Sequence, residues 1–341
     1  MAGITITEAS GLLDSVYGKY MYPLAKIIDD YGSAKDRDAR LKALFNFETS
    51  THFAEKIKGM TGFEGFKPVG ENGAYPDDQV QEGFDKLFAH ETWKDRFRIS
   101  REMVDDDQIG EMKRLTTKFV NGFDRTRERF GAALYGAAIA GQADVKFSGK
   151  TFRYGAASGD GKPLFDQQHP SAVDPTLMQS NCFKDAFSQD ALSKAQSRMI
   201  DFRDDNGSIL EIVPNVILLP NDAEAIQTVF GVVGAYSQPD TANNNWNYHF
   251  GAWDVIIWPQ LNEFIPAGTA TSGAFPWILV ADAFMKQFDG AVWYDRENMV
   301  VNAYEDMNTD AAVWNGRARW SASFFDWRAF AIGGVDRGST L

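Results

Sequence analysis

The stretch that most constrains this chain is Asp105–Gly141, DDDQIGEMKRLTTKFVNGFDRTRERFGAALYGAAIAG, which reads as one continuous helix. Ile109, Met112, Leu115, Phe119, Phe123, Phe130, Leu134 and Ala138 recur at three, four or seven residues, which lines them up as one apolar stripe. Lys113, Arg114, Lys118, Arg125, Arg127 and Arg129 fill much of the remaining surface. The carboxylates at 105–107 suit the positive end of a helix dipole, with Asp105 as the cap and Gly141 as the stop. A helix of about 35 residues is on the order of 50 Å long, more than the width of a small domain, so other segments must be laid across it. Gly110, Gly122, Gly131 and Gly136 each weaken it by roughly 1 kcal/mol relative to alanine, and tertiary packing has to offset that. The small residues of GAALYGAAIAG predict that another segment packs very close to the final turns.

The rest of the chain must supply that packing. With 341 residues, 44% of them hydrophobic, it can bury a large core. Its 26 Phe and 9 Trp exceed what one core needs, and such a surplus serves subunit contacts. A net charge of −13 argues against strong general affinity for nucleic acid. The single Cys182 excludes an internal disulfide and a cysteine zinc site. The start, MAGITITEASG, lacks a basic region followed by an apolar one, and no run approaches the ~18 apolar residues of a membrane span. The expectation is a chain made and kept in a reducing, soluble compartment.

Residues 1–61 read as a mostly helical arm with little core of its own, which therefore lies on other parts of the chain or on a neighbour. Leu12, Leu13, Val16, Tyr17, Tyr20, Tyr22 and Leu24 form one apolar segment broken by Pro23, and 35–44 is a charged helical piece. Residues 62–100 read as a long β-hairpin with its tip at 70–78, where Gly, Pro, Asp and Asn are dense. Trp93, Phe97 and Ile99 alternate with Lys94, Arg96 and Arg98, a strand with one covered face that runs into the long helix. Residues 64–95 are therefore expected to be dispensable for the chain's own core. After the helix come a short hairpin at 145–154, a glycine-rich loop at 155–163 and a turn at His169–Pro170. A helix at 188–202, a β-rich run at 210–220, a helix at 222–233 capped by Asn221, and strands at 253–259 and 276–281 describe an α/β unit. Residues 243–248 are loop-like, and the tail returns to β at 292–294, 300–304 and 315–325, then DWRAFAIGG.

Every test for chemistry fails on residue type. In GAASGDGKP, Ala156 stands where a phosphate-binding loop needs its first glycine, and Pro163 replaces the magnesium-binding hydroxyl. The acidic run at 204–206 resembles a calcium loop, but Phe202 and Val213 occupy its first and last ligand positions. Cys182 with His169 would make a thiol and base only if the fold brought them together. His52, His90, His169 and His249 share no ligand spacing, and helix-start electrostatics explains Asp105–Asp107 without a metal. No cofactor or metal is expected. The basic side of the long helix could meet phosphate, an acidic partner or solvent.

The segments FRISREMVDDDQ (97–108), the helix to Gly141, PLFDQQHPS (163–171), PNVILLPNDAE (214–224) and DWRAF (326–330) together resemble the major capsid proteins of tailed bacteriophages, in particular the major head subunit of Mu-like phages. They span about two-thirds of the chain, and none is a catalytic motif. The resemblance implies an α+β, Hong Kong 97-like fold. Its peripheral domain would be 101–150 with 283–341, its axial domain 151–282, its extended loop 62–100 and its N-terminal arm 1–61. It implies a virion protein, made in the host bacterial cytoplasm. Copies would join as hexamers and pentamers into an icosahedral shell around packaged double-stranded DNA, with scaffolding, portal and head-completion or decoration proteins as partners and no membrane. Trp93, Phe97, Phe66, Tyr75, Tyr17 and Tyr20 are the candidate contacts between subunits. The rival readings are another virion component, of the tail or decoration type, and an enzyme with an active site in 188–282.

Overall fold

The computed structural model describes residues 5–7, 17–32, 38–63, 65–71, 73–75, 77, 80–234 and 247–341. In chain order these form β1 (Thr5–Thr7), α1 (Gly18–Gly32), α2 (Ala39–Leu44), β2 (Asn46–Thr49), β3 (Ala54–Met60), β4 (Glu82–Ala89), β5 (Glu91–Ile99), α3 (Arg101–Asp105) and α4 (Ile109–Ile139). They continue with β6 (Val145–Phe147), β7 (Lys150–Phe152), β8 (His169–Pro170), β9 (Met178–Gln179), α5 (Gln189–Ile200), β10 (Val216–Pro220), α6 (Ala223–Val233) and β11 (Asp254–Trp258). Last come β12 (Trp277–Val280), α7 (Asp282–Gln287), β13 (Ala291–Asp306), β14 (Ala311–Phe324) and β15 (Phe330–Gly333).

The strut is α4, and it starts later than the sequence predicts. Ser100 caps the short α3, its hydroxyl accepting from the Met103 amide at 3.4 Å. The chain then turns at Asp107, whose φ is 53°, before α4 begins. Asp105 is thus the end of one helix, paired with Arg101 at 3.0 Å, and not the cap of the next. The stop is as expected: Gly141 takes φ 70°, and the amides of Gly141 and Gln142 return to the carbonyls of Ala138 and Ala137. Close packing at the final turns is also present. A Cβ at Gly131 would lie 2.6 Å from Leu41 and 3.1 Å from Trp258, and one at Gly136 would collide with Phe264.

One face of a five-stranded sheet covers the strut. Its order is β1-β13-β14-β5, with β2 also on β13. Trp93, Phe97, Trp293, Trp314 and Trp320 meet Phe119, Phe123 and Phe130 there; Trp93 stacks on Trp320 at 4.6 Å and lies 5.2 Å from Phe130. A second sheet, β11-β10-β12-β15, carries the other end of the same hydrophobic core, and all of Val216–Pro220 is buried in it. Helices α6 and α5 pack on β10 and β15. Asp222, one residue beyond the expected Asn221, caps α6 by accepting from the Ala225 amide at 3.0 Å. Of the β-rich run 210–220 only the second half is strand. The loop expected at 243–248 lies mostly outside the described residues.

Three larger expectations change. Pro23 sits inside α1 without breaking it, while α1 lies on another part of the chain, α4, one of the two places open to the arm; residues 12, 13 and 16 lie outside the described residues. Residues 46–60, assigned to the helical arm, are strands β2 and β3, because AEKIKGM alternates half-buried and exposed positions. The projecting hairpin is therefore β3 with β4, while β5 pairs with β14 inside its own sheet. Finally, β15, expected with the peripheral unit, pairs with β12 in the α/β sheet.

Candidate functional site

The β3–β4 hairpin leaves the body at Ser50 and His90, the residues just before β3 and between β4 and β5. His90 is buried. Its Nε2 is 2.8 Å from the Ser50 hydroxyl and its Nδ1 3.0 Å from that of Ser321. Ser50 in turn donates to Glu55 at 2.6 Å, and exposed His52 touches the same carboxylate at 3.0 Å. Burial lowers the His90 pKa, the Arg296 and Arg319 charges lower it further, and Glu55 opposes them. The clasp therefore favours a neutral ring joining both hairpin strands to β14.

Alternation then decides which hairpin side chains touch the body. Phe88, Lys86 and Ile57 face inward. Phe88 packs at 5.4 Å on Tyr294, with Val292 and Ile57 beside it in a small second core. Lys86 Nζ lies within 3.0 Å of the carbonyls of Tyr154, Ala157 and Phe324 and of the Ser323 hydroxyl. Burial pushes its amine down to about 7 against the pull of Asp160. On the outer side Lys56 pairs with Asp85, and Lys58 with Glu82 at 3.3 Å. Beyond these pairs the hairpin exposes a series of apolar side chains, Met60, Phe63, Phe66, Val69, Tyr75 and Leu87, with Phe53 exposed at its base.

The six candidate contact residues separate accordingly. Phe66 and Tyr75 are fully exposed at the tip. Tyr17 and Tyr20 are only 3% and 5% exposed; Tyr17 donates to the Asp310 carbonyl at 2.6 Å, and Tyr20 to Asp107. Trp93 and Phe97 are half-buried against the strut and β14. These four have their partners within the chain, because the strut needs a covering layer and they are it. Residues 64–95 are thus not dispensable to the core, since Phe88, His90 and Trp93 lie among them.

The catalytic alternatives meet geometry that opposes them. His169 is buried, stacked at 4.3 Å on Trp327, with Nδ1 2.7 Å from Asp160. Burial alone would raise the Asp160 carboxyl, but hydrogen bonds from His169, Ser158 and the Lys162 amide hold it below its ordinary value. Ser158 therefore bonds the acid and not the imidazole, and among the described residues no hydroxyl is hydrogen-bonded to His169. Cys182 is buried, and burial raises its thiol to about 11, too high for a nucleophile near neutrality. The loop 155–163 is no loose turn, since Asp160 within it supports the buried histidine. Residues 204–208 form a tight turn closed on Asp204 Oδ1. Among the described residues no His, Cys, Asp or Glu cluster could hold a metal ion, and no helix is long and apolar enough to cross a membrane.

Polar anchors that sequence reasoning missed include His90 and Arg127, which are buried, and Lys86 and Asp160, which are partly buried. Arg127 was grouped with the basic side of the strut, which the sequence left open to phosphate, an acidic partner or solvent. It is instead 1% exposed, forked onto Asp295 at 2.8 and 3.1 Å, paired with Asp38 at 3.2 Å, and set 4.8 Å from the Trp293 ring. The one available signal was position: Arg127 lies four residues after Phe123 and three before Phe130, within the stripe.

The described residues thus combine a long helix under a sheet of tryptophans with a projecting hairpin that exposes apolar side chains. The family model for phage capsid protein matches residues 83–333, well over half the chain. The chain belongs to that family of phage capsid proteins. Solved structures with similar coordinates include one from Microbacterium phage Oxtober96 (14% identity, 87% of this chain and 91% of that one, TM-score 0.47). Others are the mature capsid of bacteriophage PhiM1 (11%, 86% and 85%, 0.49) and the capsid of Ralstonia phage GP4 (8%, 82% and 82%, 0.49). No curated protein matches the chain.

Proposed function

We propose that copies of this chain join through their hairpins into hexamers and pentamers that close as an icosahedral shell around packaged double-stranded DNA. The hairpin is the extended loop of a Hong Kong 97-like arrangement, the strut and five-stranded sheet its peripheral domain, and the α/β sheet its axial domain. The subunit works as a structural part and not as an enzyme; scaffolding, portal and head-completion or decoration proteins are its expected partners. The observation that carries this reading is the concentration of uncovered apolar side chains on the hairpin, Met60, Phe63, Phe66, Tyr75 and Leu87. So many in one projection mark a contact surface, and a ring of identical copies supplies its complement.

The test spares the buried root. Residues 65–80 are replaced by a short Gly/Ser turn, leaving Phe88, Lys86 and His90 in place. The soluble subunit is expected to keep its melting temperature and to lose shells in negative-stain images. Shells of wild-type yield from this variant, or no rings or shells from the wild type with its expected partners, would overturn the reading.

A further inference from the structure

On the face of the five-stranded sheet turned away from the strut, two arginines hold buried N–H groups that no described residue satisfies. The register of β13 on β14 steps from Asp295↔Trp320 to Glu297↔Arg319, so Arg296 is an extra residue in a β-bulge at that point. Asp295 and Trp320 turn toward the strut, where they meet Arg127 and Trp93. Arg319, next along β14, therefore turns to the other face, opposite Thr92 of β5. Arg296 Nη1 and Arg319 Nε are buried without a hydrogen-bond partner, and neither guanidinium is ion-paired among the described residues. The neighbouring carboxylates are committed elsewhere. Glu297 pairs with Arg317 at 3.2 Å, Asp295 with Arg127 at 2.8 Å, and Glu55 is held by Ser50 and His52. After burial itself, the Arg296 and Arg319 charges lower the pKa of His90, so both are felt at one point beside the hairpin root. Burying one uncompensated charge is costly, and two together more so.

We propose that Arg296 and Arg319 form a binding site for a small divalent oxyanion, free inorganic phosphate, which bridges β13 and β14 at the bulge. The oxyanion class follows from the donors: guanidinium N–H groups match the oxygens of phosphate in geometry and charge. Two charges on the ion answer two uncompensated cations. Small size follows from burial, because the orphaned N–H groups lie below the surface. A phosphodiester of nucleic acid carries a sugar on two of its oxygens and is too bulky to follow. Exposed Lys94, Arg96 and Arg98 on β5 add a positive field that draws anions to this face of an otherwise acidic chain. The site lies within one chain and needs no second copy.

The test is a calorimetric titration of the full-length soluble subunit with sodium phosphate, at low salt and mildly alkaline pH. One equivalent per chain is expected, with half-saturation at about 1 mM. Acetate, which carries one charge, should bind about tenfold more weakly or worse. Arg296→Gln and Arg319→Gln should each weaken phosphate binding about tenfold or more, whereas Arg96→Gln with Arg98→Gln, exposed on the same face, should change it less than about twofold. Melting supplies a readout that a merely structural arginine would not give. Without phosphate, Arg319→Gln should melt at or above the wild-type temperature, because an uncompensated buried charge is gone. In excess phosphate the order should reverse, because only the wild type gains from the ligand. The proposal is overturned by the absence of saturable phosphate binding to the wild type, which decides the matter even if a variant fails to fold. Equal weakening by the Arg96 and Arg98 pair overturns it too, as does an Arg319→Gln subunit destabilised equally with and without phosphate. Tighter binding of a short single-stranded DNA than of phosphate, lost in the same two arginine variants, would assign them to nucleic acid and likewise overturn it. None of these readouts needs shells, so failure of the self-assembly reading would leave them unchanged.

Discussion

Arg127 shows how one residue can set the position of a strut. Its guanidinium is desolvated, and the carboxylates of Asp295 and Asp38 on two other segments hold it charged. Asp38 sits at φ 59°, a backbone state that the pairing helps retain. Removing one partner of such a buried pair leaves the others uncompensated, so Arg127→Ala should cost about 3–5 kcal/mol, read by urea unfolding of the soluble subunit. Arg127→Lys should recover only part, because a single ammonium cannot fork onto Asp295. His90 makes a second, pH-dependent case. Its folded pKa lies below the ordinary value of about 6.5, so the unfolded chain takes up the proton first as pH falls. The clasp's contribution is complete above that ordinary value and declines as pH drops through it toward the folded pKa. Melting temperature should therefore fall as pH drops below about 6.5, and fall less in His90→Gln. A slope unchanged by that substitution would remove His90 as its cause. Neither residue's role was legible in the sequence, since a buried Arg or His has the same letter as a solvated one and only the fold supplies its partner.

Among the elements, periodic segments were legible and their partners were not. The stripe on α4 follows its spacing, yet its members are not equivalent. Phe130 is 2% exposed and meets Trp93, Phe147, Phe152 and Trp293, while Phe123 is only partly covered, by Trp320 and Arg127. Phe130→Ala is accordingly expected to cost about 3–5 kcal/mol and Phe123→Ala distinctly less, measured as shifts in the denaturant midpoint. Equal losses would mean that the strut sits elsewhere on the sheet. The start of the helix was misplaced because three consecutive aspartates suit a helix start wherever it falls; α4 begins beyond them, with Gln108 at its N-cap and no side-chain cap hydrogen bond. Strand β3 was missed because AEKIKGM is short and charged, and its cover comes from residues more than 20 positions away in β4. Alternation in β5 correctly announced one covered face. It could not say that the cover was this chain's own strut.

At the scale of the whole molecule, the C-terminal segment ties the two units together. Strands β13 and β14 complete the sheet under the strut, and the chain then crosses to the other end of the core. There β15 pairs with β12, and Ile332 exchanges backbone hydrogen bonds with Asn181 and Phe183. The last residues return to the strut: Arg337 donates to the carbonyls of Ala138 at 2.9 Å and Ile139 at 2.5 Å. A guanidinium there satisfies carbonyls left open at the helix end and meets the negative end of the dipole. Sequence reading placed 283–341 wholly with the peripheral unit because DWRAFAIGG is equally β-like in either sheet, and only long-range pairing decides. The two placements predict different outcomes for truncation. If β15 were a peripheral tail, ending the chain after Ala329 would leave the α/β sheet intact. In the observed topology it exposes β12 as an open edge, uncovers Trp277 and removes the Arg337 cap in one step. The truncated chain is therefore expected to lose cooperative unfolding and accumulate as aggregate, while Arg337→Ala alone, which spares β15, should remain folded and lose about 1–3 kcal/mol. A truncated subunit that melted cooperatively near the wild-type temperature would show that β15 is not needed to complete the second sheet.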